Sequence, residues 1–269
     1  MILLFGLLVL SSGCVKQNEP IVTKSPVKFS IDAPDKVFLN SPFTVYLDVD
    51  NQANDTLYNV SMDLFDVDGF NKVSCAGTMT KVNLQPGEIR TIHCKLKFPN
   101  NIDASTKRTI HARVTYRRYM NAIAQLVVMT PEEYEIRRRT HNLGSVPQMF
   151  VESNGDLEVS ISFMENPFVP RNDKKDYIYI KIRNAGGGFI EKIRNESVKI
   201  KLIAGGQPRD ITNCVKNDLY IQGDSFPQIS CAIDLPLEAQ NKNYLNVFVI
   251  VNLEYEYELR RSAQIQVEV

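Results

Sequence analysis

The chain has 269 residues, and its 31 Lys and Arg balance 31 Asp and Glu, so the formal charge at pH 7 is zero. The two signs are interspersed, which argues against the basic face that DNA- and RNA-binding proteins carry and hence against a nucleic-acid partner. Length alone gives a prior of about two domains.

The N-terminus predicts export. Met1–Leu10 is apolar throughout and leads through a Ser-Ser-Gly sequence to Cys14, after which the chain turns polar. A helix that crosses a bilayer needs about 20 apolar residues, so this stretch fits a signal peptide over residues 1–13 better than a membrane anchor. Gly13-Cys14 resembles the lipobox of prokaryotic lipoproteins, and this resemblance implies that Cys14 is lipidated and becomes the new N-terminus.

A short tether follows the signal peptide. Residues 14–26 are polar, contain two prolines and show no periodicity, which is typical of a linker. A lipid on Cys14 would hold the protein to the membrane on the extracellular face of the cell. The alternative is an ordinary signal peptide followed by a free or buried cysteine and a secreted protein. Both interpretations place the mature chain outside the cell.

An internal duplication organises the rest of the sequence. Cys75–Pro99 returns as Cys214–Pro236, and both stretches close with Cys-x-x-x-apolar-Pro. The offset is 137 residues for the cysteine (231 minus 94) and for the proline (236 minus 99). Asn51, at the end of an alternating strand, corresponds to Asn184. We therefore predict two similar modules.

The four cysteines after Cys14 fall two to a module. The pairs are separated by 19 residues (94 minus 75) and 17 residues (231 minus 214). An even count at repeated spacing in an exported chain predicts disulfides, here Cys75–Cys94 and Cys214–Cys231. The alternative, a metal site, requires clustered Cys, His or carboxylate ligands, and the sequence has no Cys-x-x-Cys or paired His.

Alternating strands predict an all-β fold in the first module, residues 27–130. Phe43–Val49 alternates apolar and polar residues, and a Pro86-Gly87 turn leads into the next strand. We expect Thr109–Tyr116 to form a strand, Arg117–Asn121 a polar turn, and Ala122–Met129 the returning strand. Short strands at this spacing without intervening helices are typical of a β-sandwich.

Residues 131–154 predict a helix and a linker between the modules. Thr130-Pro131-Glu132-Glu133 is a capping box with proline at the first helical position, and the helix should extend to about Asn142. Arg137–Arg139 suits the negative end of the helix dipole. The alternative for this run of arginines is docking on anionic lipid or glycan.

The second module, residues 155–269, repeats the strand pattern. Tyr177, Tyr179, Tyr255 and Tyr257 occupy alternating positions that we expect to point outward. Such tyrosines can stack against a sugar or a partner protein. The alternative is cross-strand packing that stabilises an exposed sheet.

The combined pattern resembles a family of surface modules. Strand, Asn51, turn, Pro86-Gly87 turn and paired final strands, with Asn184 in the second copy, are similar to prokaryotic, chiefly archaeal, immunoglobulin-like modules related to the cell-adhesion domain family CARDB. The resemblance implies two tandem immunoglobulin-like β-sandwiches. It also implies an extracellular adhesion or scaffold role without catalysis, and an unknown surface protein or glycan as partner.

No enzyme motif and no cofactor are expected. The sequence has no Gly-x-Ser-x-Gly elbow, phosphate loop or His-Glu-x-x-His. Asp63, Asp66 and Asp68 could offer carboxylates to Ca²⁺, but the spacing differs from a calcium loop and the following glycine is typical of an ordinary turn.

Three Asn-x-Ser/Thr sequons, at Asn54, Asn59 and Asn195, are possible glycosylation sites, with chance occurrence as the alternative. The leading hypothesis is a surface-tethered, non-enzymatic binding, adhesion or scaffold protein. The alternative is a structural subunit of an extracellular filament or envelope layer that assembles through exposed sheet edges. The sequence leaves the oligomeric state open.

Overall fold

The structure, a computed structural model, describes residues 25–76, 81–99, 105–170, 176–233 and 242–269. The signal peptide, Cys14 and Pro236 lie outside these ranges. The fold is all-β and sandwich-like, as predicted. In chain order the strands are β1 (Val27–Asp32), β2 (Lys36–Phe38), β3 (Phe43–Asn51), β4 (Leu57–Asp66), β5 (Asn71–Ala76), β6 (Val82–Leu84), β7 (Ile89–Lys97), β8 (Thr106–Met129), β9 (Met149–Ser153), β10 (Leu157–Phe163), β11 (Tyr177–Asn184), β12 (Lys192–Ile193), β13 (Val198–Ala204), β14 (Gln207–Asp210), β15 (Leu219–Tyr220), β16 (Ile229–Ala232) and β17 (Tyr244–Glu268).

The strands form one large sheet, two four-stranded sheets and one two-stranded sheet. The four-stranded sheets have the orders β1-β3-β7-β5 and β16-β11-β10-β9. The large sheet has the order β14-β13-β17-β8-β4-β6, with β2 added in parallel to β17, and β12 pairs with β15. The large sheet therefore contains strands from both halves of the chain. The buried apolar side chains form one continuous cluster through both halves.

The longest element is an antiparallel ladder between β8 and β17. It pairs 24 residues, from Thr106 opposite Val267 to Met129 opposite Tyr244, and is about 80 Å long at roughly 3.4 Å per residue. The turn predicted at Arg117–Asn121 is wrong, because these residues continue the strand. Their polarity resembles a turn, but each is paired across the ladder with a residue of β17.

The second half repeats the strand order of the first. The neighbours β10-β11-β16 correspond to β1-β3-β7, and β13 beside β17 corresponds to β4 beside β8. The repeated asparagines make similar hydrogen bonds. The side-chain amide of Asn51 donates to the carbonyls of Leu84 and Asp55, both at 3.0 Å. The side-chain amide of Asn184 donates to the carbonyl of Gly188 at 2.8 Å. Each asparagine thus stabilises the loop that follows its strand.

Both predicted disulfides are confirmed. Cys75–Cys94 joins register partners on the neighbouring strands β5 and β7, and Cys214–Cys231 joins a 3₁₀ turn at Thr212–Cys214 to β16. Disulfides indicate an oxidising compartment outside the cytosol. In the parts of the chain that the structure describes, no helix is both long and apolar enough to span a membrane.

The predicted helix, α1, extends over Pro131–Arg139 and is shorter than expected. The Thr130 hydroxyl accepts the amide of Glu133, as the capping box requires, and Thr140 caps the other end. Arg137 pairs with Glu133 at 2.6 Å and lies over the ring of Tyr244, and Arg138 pairs with an acidic residue of the same helix. Two of the three arginines are therefore engaged within the protein.

Replacing Cys75 and Cys94 together by Ala should lower the free energy of unfolding by about 2–5 kcal/mol. Because the ladder and the core run through both halves, the full-length protein should melt in one transition that shifts as a whole. Differential scanning calorimetry measures this. Two transitions, of which the double variant shifts only one, would show that the halves are energetically independent.

Candidate interaction surfaces

A buried ionic cluster lies at the junction of the two halves. Arg118 of β8 points inward with its side chain 4% exposed, and the Asp156 side chain is fully buried. The Arg118 guanidinium donates to Asp156 at 3.0 Å and to both carboxylate oxygens of Asp55. Asp55 comes from the first half and Asp156 from the second. Arg118 therefore ties the halves together with two acidic partners.

Asp156 is satisfied by three donors. The Ser25 hydroxyl donates to one carboxylate oxygen at 2.7 Å, while the Tyr116 hydroxyl and Arg118 donate to the other, each at 3.0 Å. Burial raises the pKa of the Asp156 carboxyl, and these three donors oppose that rise. Burial and the nearby Asp156 charge also raise the pKa of Tyr116. The hydroxyl of Tyr116 therefore stays protonated and remains a donor.

The expected patch of four outward tyrosines does not form. Tyr255 and Tyr257 are buried, at 3% and 1% exposure, because they face the core across from Arg118 and Tyr116 in the ladder. The Tyr255 hydroxyl accepts a bond from Asn154, and the Tyr257 hydroxyl donates to Asn184 at 2.7 Å. Their outward assignment is wrong.

Tyr177 and Tyr179 are half-buried, with ring centroids 6.4 Å apart. They lie on β11, in a different sheet from β17. The tyrosines predicted to share one surface are thus divided between the outside of one sheet and the inside of another.

An apolar patch lies instead on the outer face of the large sheet. We define it by Ile123 of β8, Phe248 and Ile250 of β17, and Ile203 of β13. Ile123 faces Ile250, and Phe248 faces Ile203, in neighbouring strand pairs on the same side of the sheet. Ile123 is 46% exposed and Phe248 41%, and the other two are half-buried.

Polar uncharged residues and lysines surround the apolar patch. Asn121 faces Asn252, and the Gln125 amide donates to Asn246 at 3.0 Å. Lys201 lies beside Ile250 on β13. An apolar centre with a polar rim is the usual composition of a protein interface.

The other half of the same outer face carries ion pairs and the exposed rings of Tyr58, Phe65 and Tyr119. Arg117 pairs with Glu254 at 2.8 Å, and Arg113 pairs with Asp63 at 2.9 Å. Arg260 pairs with a neighbouring glutamate and covers the ring of an exposed phenylalanine. Exposed ion pairs of this kind contribute little stability, but they keep that half of the face hydrated.

The aspartates considered for calcium do not converge. Asp63 is engaged by Arg113, Asp66 accepts the main-chain amide of Asp68, and Asp68 lies 3.3 Å from Arg108. Among the residues that the structure describes, no group of three or more His, Cys, Asp or Glu is placed to hold a metal ion.

The three sequons differ in setting. Asn54 is exposed in the turn between β3 and β4, whereas Asn59 and Asn195 are half-buried. Asn59 has a positive φ of 52° in an irregular part of β4, and its main-chain N–H donates to the side-chain oxygen of Asn83. The side-chain oxygen of Asn195 accepts the amide of Glu196. Asn54 is therefore the most accessible of the three sequons.

Comparison with known proteins gives only distant structural likenesses. No family model and no curated protein matches the chain. The C-terminal part of Escherichia coli alpha-2-macroglobulin covers 69% of this chain at 10% identity and a TM-score of 0.28, and red sea bream transglutaminase covers 91% at 10% and 0.24. The secreted serine protease VesC from Vibrio cholerae covers 88% at 10% and 0.20. The chain spans 24%, 31% and 50% of these structures. Similarities at this level carry no functional assignment.

Sequence reasoning missed both the ionic cluster and the apolar patch. One signal for the cluster was available: even-numbered positions from Ile110 to Val128 stay on the buried side of β8 without a break. This alternation continues through Arg118 without a change of side, which indicates a single strand. The patch has no such signal, because Ile123 and Phe248 meet only through strand pairing.

Replacing Asp156 by Ala should lower the free energy of unfolding by about 3–5 kcal/mol, because it leaves part of the Arg118 charge buried without its partner. The matched control is Asp63→Ala, which breaks an exposed Asp–Arg pair and should cost at most about 1 kcal/mol. Urea denaturation of the full-length protein measures both. Equal small losses for the two variants would contradict a stabilising role for the cluster.

Proposed function

We propose that this protein is a non-enzymatic, surface-tethered binding or scaffold protein of the prokaryotic, and specifically archaeal, cell exterior. In this proposal it is a lipoprotein that a lipid on Cys14 holds to the outer face of the cell membrane. Support for the compartment comes from the two disulfides, which persist in oxidising surroundings.

The apolar patch is the observation that carries the binding role. It is the aliphatic part of an outer face whose other half carries ion pairs and exposed aromatic rings, and association with a partner would remove its exposed apolar area from water at a gain of about 25 cal/mol per Å². Its centre is mainly aliphatic, whereas sugars stack best on aromatic rings. We therefore favour a surface protein over a glycan as partner.

The buried groups with shifted pKa values support a role without catalysis. A perturbed titratable group in a cleft is a common mark of an active site. Here Asp156 is fully buried and already accepts three hydrogen bonds. Its raised pKa is thus explained by burial at the junction of the halves, and no substrate contact is needed to account for it.

The attachment point of the tether fits a scaffold. Ser25 is hydrogen-bonded to Asp156 at the junction of the halves, and it lies 11 positions after Cys14 (25 minus 14). Fully extended, that length reaches at most about 40 Å. A lipid on Cys14 would therefore keep the junction within about 40 Å of the membrane, with the ladder extending in both directions from it.

Replacing Cys14 by Ser should move the protein from the membrane fraction to the medium, or leave it unprocessed, because a lipid can no longer be attached. Cell fractionation, together with the mass of the N-terminal peptide, measures this. Ser12→Ala is the matched control and should remain in the membrane fraction. A Cys14→Ser protein with unchanged mass and location would contradict the lipid anchor.

Placing a photo-activatable phenylalanine analogue at position 248 of the exported full-length protein should cross-link a surface partner on intact cells. Adding Ile123→Lys should reduce the adduct at least about tenfold, equivalent to about 1.4 kcal/mol, because the lysine must be desolvated in the interface. Both side chains are exposed, so the melting temperature should stay nearly unchanged.

Two controls make this experiment specific. Val73→Lys, at an exposed position on β5, should leave the adduct unchanged. The same analogue at Tyr220, which is 53% exposed on β15, should give no adduct. An adduct that survives Ile123→Lys, or that forms equally from position 220, would contradict binding through the apolar patch.

A further inference from the structure

β9 forms an open edge on the sheet that does not contain the apolar patch. It is the terminal strand in the order β16-β11-β10-β9 and pairs with β10 from Met149 opposite Ser162 to Ser153 opposite Glu158. In the described parts of the chain β9 is hydrogen-bonded to no strand other than β10, although β8 passes within contact distance of it. Phe150 anchors β9 to the core through an edge-to-face contact with Phe163, with ring centroids 6.2 Å apart.

The hydrogen bonds to β10 determine which backbone groups face the open side. The Phe163 amide donates to the carbonyl of Gln148 at 2.9 Å, and the Asn154 amide donates to the carbonyl of Leu157 at 3.2 Å. Antiparallel pairing alternates, so the even-numbered residues of β9 bond to β10. The N–H and C=O groups of the odd-numbered residues, 149, 151 and 153, therefore point away from the sheet.

This edge has little of the protection that a terminal strand usually carries. Met149 is 61% exposed and Val151 50%, and the strand contains no proline and no lysine. Proteins commonly place charges or proline on such edges, and Glu152 is the one charge on β9. β14 contains Pro208, Arg209 and Asp210, and β1 exposes Lys28 and Asp32. The terminal strands β6 and β16 have neither charge nor proline, but unlike β9 they expose no large apolar side chain.

We propose that β9 pairs with β9 of a second copy of this chain in an antiparallel dimer whose two-fold axis passes at Val151. In this register Val151 faces Val151 of the second copy, and Met149 faces Ser153 on both sides. All three edge residues then meet edge residues, which forms about six backbone hydrogen bonds. The single charge, Glu152, faces Phe150 of the second copy, so no like charges oppose each other.

Because this edge is complementary to itself in this register, it fits a second copy better than a foreign strand. A two-fold interface uses the same patch on both subunits and closes on itself, so the product is a dimer with a sheet that continues through β10-β9-β9-β10. The inference is independent of the proposed function, because the apolar patch lies on the large sheet and β9 belongs to another sheet.

Replacing Val151 by Cys in the full-length exported protein should give a disulfide-linked dimer in oxidised glutathione. Hydrogen-bonded partners have Cα atoms about 5.5 Å apart, within the reach of a disulfide. Met149→Cys is the matched control. In this register residue 149 lies four positions along the strands from residue 149 of the second copy, or about 13 Å, which is too far for a disulfide. Non-reducing electrophoresis distinguishes the two, and unsubstituted protein reports any linkage through Cys14.

Val151→Lys tests the same contact without cross-linking. Detergent-extracted full-length protein should sediment as a concentration-dependent dimer, and Val151→Lys should weaken dimerisation at least about tenfold, or 1.4 kcal/mol, because two lysines would face each other across the axis. Ile89→Lys, at an exposed position on β7, should dimerise normally.

Three results would overturn the inference. The first is a combination of two findings: the unsubstituted protein stays monomeric at every concentration, and Val151→Cys forms no disulfide-linked dimer. The second is equal cross-linking by Met149→Cys and Val151→Cys, since that excludes the register. The third is linkage of Val151→Cys to a different protein, which would assign the edge to a foreign strand.

Discussion

The ladder between β8 and β17 is the contact on which the rest of the structure depends. It joins 24 consecutive residue pairs, and on each strand successive side chains alternate between the core and the outer face. A ladder of this length extends past the core of either half. Its central inward positions must therefore be filled where the two halves meet, and its outer face is shared by both.

The ionic cluster follows from this geometry. Arg118 faces Tyr255 in the ladder, and the two residues are 137 apart (255 minus 118), which is the repeat distance found in the sequence. Equivalent positions of the two halves thus meet at the centre. Two equal charges there would repel each other, and the pair is instead an arginine and a tyrosine. The arginine is balanced by one aspartate from each half, Asp55 and Asp156.

Local patterns predicted the features that depend on nearby residues. The repeated cysteine spacing predicted both disulfides, and Thr130-Pro131 predicted the start of α1. The same approach failed at Arg117–Asn121, where polarity resembled a turn, because the partners of Arg118 lie 63 and 38 residues away. Alternation also separates two faces without identifying the buried one. For this reason Tyr257, bonded to Asn184 73 residues away, was assigned to the wrong side.

The two parts of the ladder's outer face share the same backbone pairing but carry different side chains. On one continuous outer face, ion pairs such as Arg117–Glu254 and exposed aromatic rings cover the part beside β4, and aliphatic side chains such as Ile123 and Ile250 cover the part beside β13. Ion pairs resist the removal of water, because desolvating both charges costs several kcal/mol, whereas aliphatic groups favour it. The difference lies in side chains alone, since one ladder supports both parts. On the proposed function, the duplication therefore supplied one fold twice, and the aliphatic part of the shared face, which β8, β13 and β17 form together, is the part that gains by being covered.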